Sequence, residues 1–170
     1  MQKITPCLWF DKNAEEAVNF YVSIFKNSPF AKGESKIGNI ARYGKEGFEV
    51  HHMPEGTVLT IEYRLDGQNF LGLNGGPVFH FDAGISFIID CKSQEEVDYF
   101  WEKLTEGGDP KAQQCGWLKD KFGLSWQVVP DVLGKLLADK DKAKAGRVMT
   151  AMLQMKKIVI KDLETAYEGK

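Results

Sequence analysis

The feature that most constrains the fold is a pattern that occurs twice, with equivalent positions at 13 and 93. Each copy runs from an apolar strand, through a polar helix-starting residue, into an acidic amphipathic helix. In the first copy Asn13 follows the strand 7–10, and in the second Ser93 follows the strand 85–89. A unit repeated at this period indicates a duplicated supersecondary structure, and we expect a site between the two copies.

Both helix starts carry the same local signal. Asn13 and Ser93 are each followed three residues later by a glutamate, Glu16 and Glu96. This spacing predicts a capping box, in which the side chain of the first residue accepts a hydrogen bond from a helical N–H group. The apolar residues that follow recur at helical spacing, so each helix is expected to cover a sheet.

The segments after each helix alternate like strands and end in turn residues. Asp66-Gly67 is typical of a tight hairpin turn, while the sequence from Gly107 to Pro110 breaks the chain after the second helix. The predicted fold class is α+β, with paired βαβββ modules forming a curved mixed sheet and a C-terminal helical extension. The predicted strands lie near 37–43, 57–65 and 69–73 in the first module and near 114–118 and 124–129 in the second, with a further short strand there.

The domain organisation predicted from these elements is one domain, 1–130, made of modules 1–76 and 77–130, followed by a helical extension at 131–170. Helices are expected near 132–137 and 142–155. The second carries an apolar stripe, which we interpret as packing on the domain or on a sister subunit because Met commonly fills gaps. The stripe consists of Val148, Met149, Met152 and Met155.

Composition excludes several functional classes. With 43% hydrophobic residues and a net charge of −2, the chain has no bulk attraction for nucleic acid or an anionic membrane surface. Its apolar runs fall far short of the roughly 20 residues that span a membrane. Residues from Met1 lead into a strand rather than a signal-peptide core. The three cysteines form no CxxC pair, so we predict reduced thiols and a cytoplasmic location.

Four stretches carry a family resemblance: 73–77, 94–98, 114–127 and 151–157. Together they resemble the PhnB-like family, which is labelled 3-demethylubiquinone-9 3-methyltransferase. That family belongs to the glyoxalase, bleomycin-resistance and extradiol-dioxygenase superfamily, also called the vicinal oxygen chelate superfamily. The resemblance implies paired βαβββ modules that form a cupped sheet, and often a homodimer.

The resemblance also indicates where the superfamily's metal enzymes hold their metal: on the first strand of each module and on the last strand. The corresponding positions here are Thr5, Ser86 and Gln127. None supplies the imidazole or carboxylate that transition metals prefer. We therefore expect no metal at the usual site and no cofactor.

Other residues could still do chemistry. His80, in the loop between the modules, is a candidate acid or base, and Cys115, on a strand expected to line the cup, is a candidate nucleophile. His51 and His52 are neighbours and, in an extended segment, would point to opposite faces. Cys7 and Cys91 are interpreted as buried strand residues.

Two functional readings remain open. In the first, the cup binds a small molecule; its predicted wall consists of Trp9, Phe70, Asn74, Ser86, Gln114, Cys115 and Gln127. In the second, the protein is an enzyme that uses His80 or Cys115, or a metal held by His80 with a carboxylate such as Glu62. Methyl transfer is not the leading chemistry, because the glycine cluster 72–76 runs into Pro77 rather than into a helix. The expected partners are a small molecule and a second copy of the chain.

Overall fold

The structure is a computed structural model that describes residues 3–170. The chain divides after residue 80 into two compact units. Each unit contains a sheet of its own. No helix among residues 3–170 combines the length and the apolar character that crossing a membrane requires.

The first unit contains a four-stranded mixed sheet in the order β1-β4-β3-β2. β1 pairs parallel with β4, and the other neighbours are antiparallel. Its elements are β1 (Cys7–Phe10), α1 (Ala14–Lys26), β2 (Lys36–Arg42), α2 (Phe48–His51), β3 (Val58–Leu65) and β4 (Gln68–Asn74).

Helix α1 covers one face of this sheet. Gly72 pairs with Ile61 across β4 and β3, and a Cβ at Gly72 would lie 2.9 Å from Ile61 Cγ2 and 3.3 Å from Val18 Cγ2. The missing side chain therefore lets α1 approach the sheet closely. We call the face that α1 does not cover the open face.

The hairpin between β3 and β4 turns at Asp66 and Gly67, as predicted. Both residues have positive φ, 45° and 87°, which is the conformation of a two-residue type I′ turn. Asp66 Oδ1 also accepts a hydrogen bond from the Lys32 amide at 2.7 Å. The turn thus fixes the β3–β4 register and anchors the chain ahead of β2.

The second unit repeats the arrangement with one strand fewer. Its sheet has the order β5-β7-β6, with β5 parallel and β6 antiparallel to β7. In both units the opening strand therefore lies parallel to the closing strand. Within residues 81–170 the expected extra short strand is not among the strands. The elements are β5 (Phe87–Cys91), α3 (Gln94–Thr105), a 3₁₀ turn (Pro110–Ala112), β6 (Trp117–Lys119), β7 (Ser125–Pro130), α4 (Asp131–Leu137), α5 (Lys142–Leu153) and α6 (Ile160–Glu168).

The capping box predicted at Ser93 is confirmed. Ser93 Oγ accepts from the Glu96 amide at 3.3 Å, and Glu96 Oε2 accepts from the Lys92 amide at 2.7 Å. The box predicted at Asn13 is wrong, because the Asn13 side chain makes no capping bond. Asn74 Oδ1, at the end of β4, accepts from the Ala14 amide instead, at 2.9 Å.

The C-terminal extension packs on its own unit, as one of the two readings of its apolar stripe predicted. Val148 is fully buried, and Met152 and Met155 pack against the same core, whereas Met149 is 42% exposed. The third helix, α6, was not predicted; it completes the cluster through Leu163. The buried members of this cluster are Leu133, Val148, Ile158 and Leu163.

Polar groups of α3 hold the segment between α5 and α6. Gln94 Nε2 donates to Ile158 O at 3.1 Å, and Gln94 Oε1 accepts from the Ile160 amide at 2.8 Å. Asp98 also pairs with Lys157, with 2.6 Å between Oδ1 and Nζ. The Gln94 side chain therefore bonds to a backbone carbonyl and a backbone amide on the two sides of Val159, the residue before α6.

Two histidines lie in a setting that differs from the expected extended segment. His51 ends the one-turn helix α2, and His52 follows it with a φ of 55°. His51 Nδ1 accepts from the Met53 amide at 2.9 Å, so Nε2 is the atom that donates to Glu46 O at 3.0 Å. The His51 ring thus holds the loop between β2 and β3 together.

Candidate functional site

A cavity of about 510 Å³ lies in the first unit, against the open face of its sheet. A volume of this size lies within the range of small-molecule sites. The residues that line it come from the segment before β1 and from strands β2, β3 and β4. They are Thr5, Lys36, Gly38, Glu62, Tyr63, Arg64, Asn69, Phe70 and Leu71.

Strand alternation explains why polar side chains reach this cavity. On β3, Ile61 and Tyr63 are buried, while Glu62 is exposed and Arg64 is half-buried. Ile61 faces α1, so Glu62 and Arg64 project from the open face. Successive residues of the same face lie about 7 Å apart along a strand. A carboxylate and a guanidinium therefore stand side by side in the cavity wall.

The cationic part of the wall is a small network. Arg64 Nε donates to Asn69 Oδ1 at 2.8 Å, and Arg64 Nη1 donates to Glu34 Oε2 at 3.2 Å. Lys36 Nζ also pairs with Glu34 Oε2, at 2.8 Å. The hydrogen bond from Lys36 and the nearby Arg64 charge lower the pKa of Glu34. Among residues 3–170, Arg64 Nη2 has no hydrogen-bond partner.

The anionic part of the wall is Glu62. Its Oε2 accepts a hydrogen bond from Asn39 Nδ2 at 3.0 Å. A Cβ built on Gly38 would lie 3.2 Å from Glu62 Cβ and 3.5 Å from Oε2, so Glu62 lies over the bare backbone of Gly38. Within the described part of the chain its other oxygen, Oε1, has no partner. This carboxylate can therefore accept hydrogen bonds from a ligand.

Of the side chains predicted on the first strand, Thr5 lines the cavity and Trp9 does not. Trp9 Nε1 donates to Gly76 O at 2.9 Å, and its ring meets Phe79 edge-on with centroids 4.9 Å apart. A Cβ on Gly75 would overlap the Trp9 ring. Trp9 therefore packs over the loop that leaves β4.

Asn74 does not project into a cup, and this part of the prediction requires correction, whereas Phe70 is among the residues that line the cavity. Asn74 is 1% exposed and bonds to the start of α1 and, through Nδ2, to Val58 O at 2.9 Å. Phe70 shares the parity of Asn74 along β4 and stacks on Tyr63, with centroids 5.3 Å apart. The Asn74 amide is therefore used within the first unit, while Phe70 and Tyr63 form an aromatic pair in the cavity wall.

Ser86 and Gln127, predicted to lie together, are in contact in the second unit. Gln127 Nε2 donates to Ser86 Oγ at 2.9 Å. Trp126 points to the opposite face, as alternation requires, where it is 2% exposed and donates through Nε1 to Asp120 Oδ2 at 2.8 Å. The pair forms a neutral hydrogen-bonding surface that can donate and accept.

Cys115 does not lie on a strand, contrary to the prediction. It occupies a turn with a φ of 52°, and its amide donates to Met155 O at 2.8 Å. The Gly116 amide donates to Lys156 O at 2.7 Å, and Gln114 Nε2 donates to Leu153 O at 2.8 Å. Residues 114–116 therefore attach the C-terminal extension through hydrogen bonds to its backbone carbonyls.

The remaining candidates are dispersed. His80 is exposed and is not among the residues that line the cavity. Cys7 is exposed, contrary to the prediction, whereas Cys91 is buried. Among residues 3–170, no three His, Cys, Asp or Glu side chains are grouped so that they could hold a metal ion.

Comparison with known proteins identifies the family. Residues 2–129 match the sequence model of the family described as 3-demethylubiquinone-9 3-methyltransferase. The chain belongs to this PhnB-like family. The family resemblance read from the sequence motifs is therefore confirmed. The comparison with curated proteins gave no match.

Solved structures give the same result. The PhnB protein of Bacillus cereus, which carries the same methyltransferase name, is 35% identical with a TM-score of 0.61, covering 76% of this chain and 99% of that one. A protein from Pseudomonas aeruginosa is 19% identical with a TM-score of 0.55, covering 76% and 98%, and shows the shared fold. The family match ends at residue 129, so helices α4, α5 and α6 lie beyond it.

Several lining residues were not singled out from the sequence. Lys36, Arg64 and Asn69 line the cavity, whereas the superfamily resemblance points only to the strand positions that hold metals in other members. The signal was present in the polar residues Glu62 and Arg64, which alternate with buried apolar residues along β3. A strand with a polar face beside a cavity is a useful indicator of a site.

Proposed function

We propose that this PhnB-like protein binds a small polar molecule against the open face of its first sheet, without the metal of the superfamily's metal enzymes. The observation that carries the proposal is the cavity, whose wall combines a carboxylate, a guanidinium, an ammonium and an amide on a partly apolar floor. A few convergent polar groups in a concave site are typical of small-molecule recognition. Thr5, Ser86 and Gln127 remain candidate ligand-binding residues.

The local structure favours binding over methyl transfer. A dinucleotide-type or related nucleoside site uses a glycine-rich turn that opens a helix. Here Gly72 is a strand residue against α1, Gly75 lies under Trp9, and the next element is the strand β5. The glycines therefore serve packing, and the methyltransferase name of the family is not the activity that we propose.

One observation favours an enzymatic alternative. Glu62 has one oxygen held by Asn39 and the other directed to no protein group among residues 3–170. A carboxylate that is oriented in this way in a cavity can act as a general base or bind a metal with one further ligand. His80 and Cys115 remain candidate catalytic residues in that reading.

Binding is tested by native mass spectrometry of protein purified without an affinity tag, followed by thermal unfolding against a panel of small metabolites. We expect a bound mass or a stabilising compound whose effect is lost in Glu62→Gln and Arg64→Gln. Lys45→Gln is the matched control, because the Lys45 side chain is 81% exposed and lies outside the cavity. Equal loss in the control, or no loss in either cavity variant, would place the site elsewhere.

The alternatives are measured on the same sample. Elemental analysis that found a stoichiometric metal would contradict metal-free binding and favour the enzyme. Calorimetric titration with S-adenosylmethionine tests methyl transfer, and micromolar binding would revive it. We expect neither result.

We also propose that the protein is a cytoplasmic homodimer. Val148 is buried and Met152 and Met155 are partly buried within their own unit, so of the extension's stripe mainly Met149, which is 42% exposed, is open to a partner. The dimer would therefore form mainly through other surfaces. Light scattering at micromolar concentration is expected to give twice the mass of the chain, and a monomer would contradict this part of the proposal.

A further inference from the structure

The charges around the cavity restrict the class of ligand more narrowly than a polar wall alone. Two cations, Lys36 and Arg64, and one carboxylate, Glu62, line the cavity, and Glu34 lies behind both cations. These four groups sum to zero formal charge. A ligand without net charge therefore matches the charge of this wall better than a cation or an anion does.

The charges are also separated in space. Glu34 bonds to both cations at one end of the cavity, while Glu62 is held apart from them by Asn39. Because one carboxylate is shared between two cations, that end carries a net positive charge, and the Glu62 end carries a negative charge. The cavity therefore has two poles, whose strand positions on β3 are about 7 Å apart.

The unused hydrogen-bonding groups match this polarity. At the positive pole, Nη2 of Arg64 has no partner among residues 3–170, and Lys36 Nζ contacts only Glu34 within those residues. At the negative pole, Oε1 of Glu62 is available. A guanidinium prefers a carboxylate or phosphate, and a carboxylate prefers an ammonium or another cationic donor.

We propose that the ligand is a zwitterion of the amino-acid type, with its anionic group at Arg64 and Lys36 and its ammonium at Glu62. This inference rests on the proposed function and specifies its ligand class. The two poles start from strand positions about 7 Å apart, and two hydrogen bonds of about 2.8 Å take up most of that distance, so the charged groups of the ligand lie close together, as the α-ammonium and α-carboxylate of an amino acid do. Thr5 and Leu71 then face the rest of the molecule, so a side chain of mixed polarity fits beside them.

The test uses the common amino acids, each compared with its N-acetyl derivative, which lacks the positive charge, and its carboxamide, which lacks the negative charge. Thermal unfolding of the full chain identifies a binding amino acid, and calorimetry gives the affinities. We expect at least one amino acid to bind, and both of its derivatives to bind about tenfold more weakly, since each loses a charge-assisted hydrogen bond.

Variants assign the two poles. Glu62→Gln should weaken the amino acid about tenfold but not its N-acetyl derivative, whose negative charge then matches the site, whereas Arg64→Gln should weaken the amino acid but not its carboxamide, whose positive charge then matches the site. Lys45→Gln should change none of them. Equal affinity for a derivative and its parent would overturn the zwitterion assignment. Binding of no amino acid would overturn it too, while a different bound mass in the purified protein would still support the proposed function.

Discussion

The buried amide of Asn74 provides the sharpest test of how the first unit is held together. Asn74→Ala removes the acceptor for the Ala14 amide and the donor to Val58 O, both at 2.9 Å. Ala14 is 0% exposed and Val58 is 2% exposed, so water cannot readily replace either bond. Each buried polar group that is left unpaired costs about 1–3 kcal/mol. We therefore expect the free energy of unfolding to fall by about 3 kcal/mol.

Asn13→Ala is the matched control for this change. Helix-capping statistics would assign a loss of about 1 kcal/mol to Asn13. Its side chain makes no capping bond here, so we expect a change below about 0.5 kcal/mol. The comparison separates the capping role from the identity of the residue that precedes the helix.

Urea denaturation followed by circular dichroism measures both variants, and amide hydrogen exchange locates the effect. Exchange should accelerate along α1 (Ala14–Lys26) in Asn74→Ala and stay unchanged along α3 (Gln94–Thr105), which Ser93 caps. If Asn13→Ala costs as much as Asn74→Ala, or if α1 keeps its protection in Asn74→Ala, then the assignment of the cap to Asn74 is wrong.

Two further predictions concern backbone space and thiol chemistry. Gly75→Ala should destabilise the first unit and shift tryptophan fluorescence, because the new methyl group overlaps the Trp9 ring, whereas Gly134→Ala, in a helix with nothing within 4 Å of the new Cβ, should stabilise by about 0.5–1 kcal/mol. Burial raises the pKa of Cys91 from 9.0 to about 12. At pH 8 a thiol reagent should therefore modify Cys7 in the native protein and Cys91 only after unfolding; labelling of Cys91 first would contradict this. The folded state favours the protonated Cys91 thiol, so its stabilising contribution is present below pH 9.0 and declines as pH rises towards about 12.

The features that could be predicted from the sequence are those set by neighbouring residues. Ser93 with Glu96, and Asp66 with Gly67, specify a helix start and a turn through groups a few residues apart. The prediction at Asn13 had the same local basis, but an amide from position 74 reaches the first helical N–H group. No local sequence pattern shows that Asn74 takes the place of Asn13 as the cap, because Asn74 reaches the start of α1 only through the parallel pairing of β1 with β4.

The site was less predictable for a related reason. Superfamily positions identified Thr5, which lines the cavity, and the pair Ser86 and Gln127, which are in contact. The predicted cup wall also included Asn74, whose place along β4 puts its side chain against α1. Strand parity depends on register, and an uncertainty of one residue exchanges the two faces. The polar face of β3 indicates the cavity more reliably, since the alternation of Glu62 and Arg64 with buried residues can be read from this sequence without reference to the superfamily.

The way in which the C-terminal helices are attached determines whether they can be transferred to a related protein. The amides of Cys115 and Gly116 donate to the carbonyls of residues 155 and 156, so these two bonds place no requirement on the side chains of the acceptors. The donor side is restrictive, because Gly116 has a φ of 84° and a Cβ there would lie 3.0 Å from Val128 O. The turn at Cys115 and Gly116 can therefore bind the C-terminal helices whatever side chains residues 155 and 156 carry. Residues 130–170 could be fused to a relative that ends at its last strand. If that relative has glycine at the position of Gly116, the amides equivalent to those of Cys115 and Gly116 should become protected from hydrogen exchange.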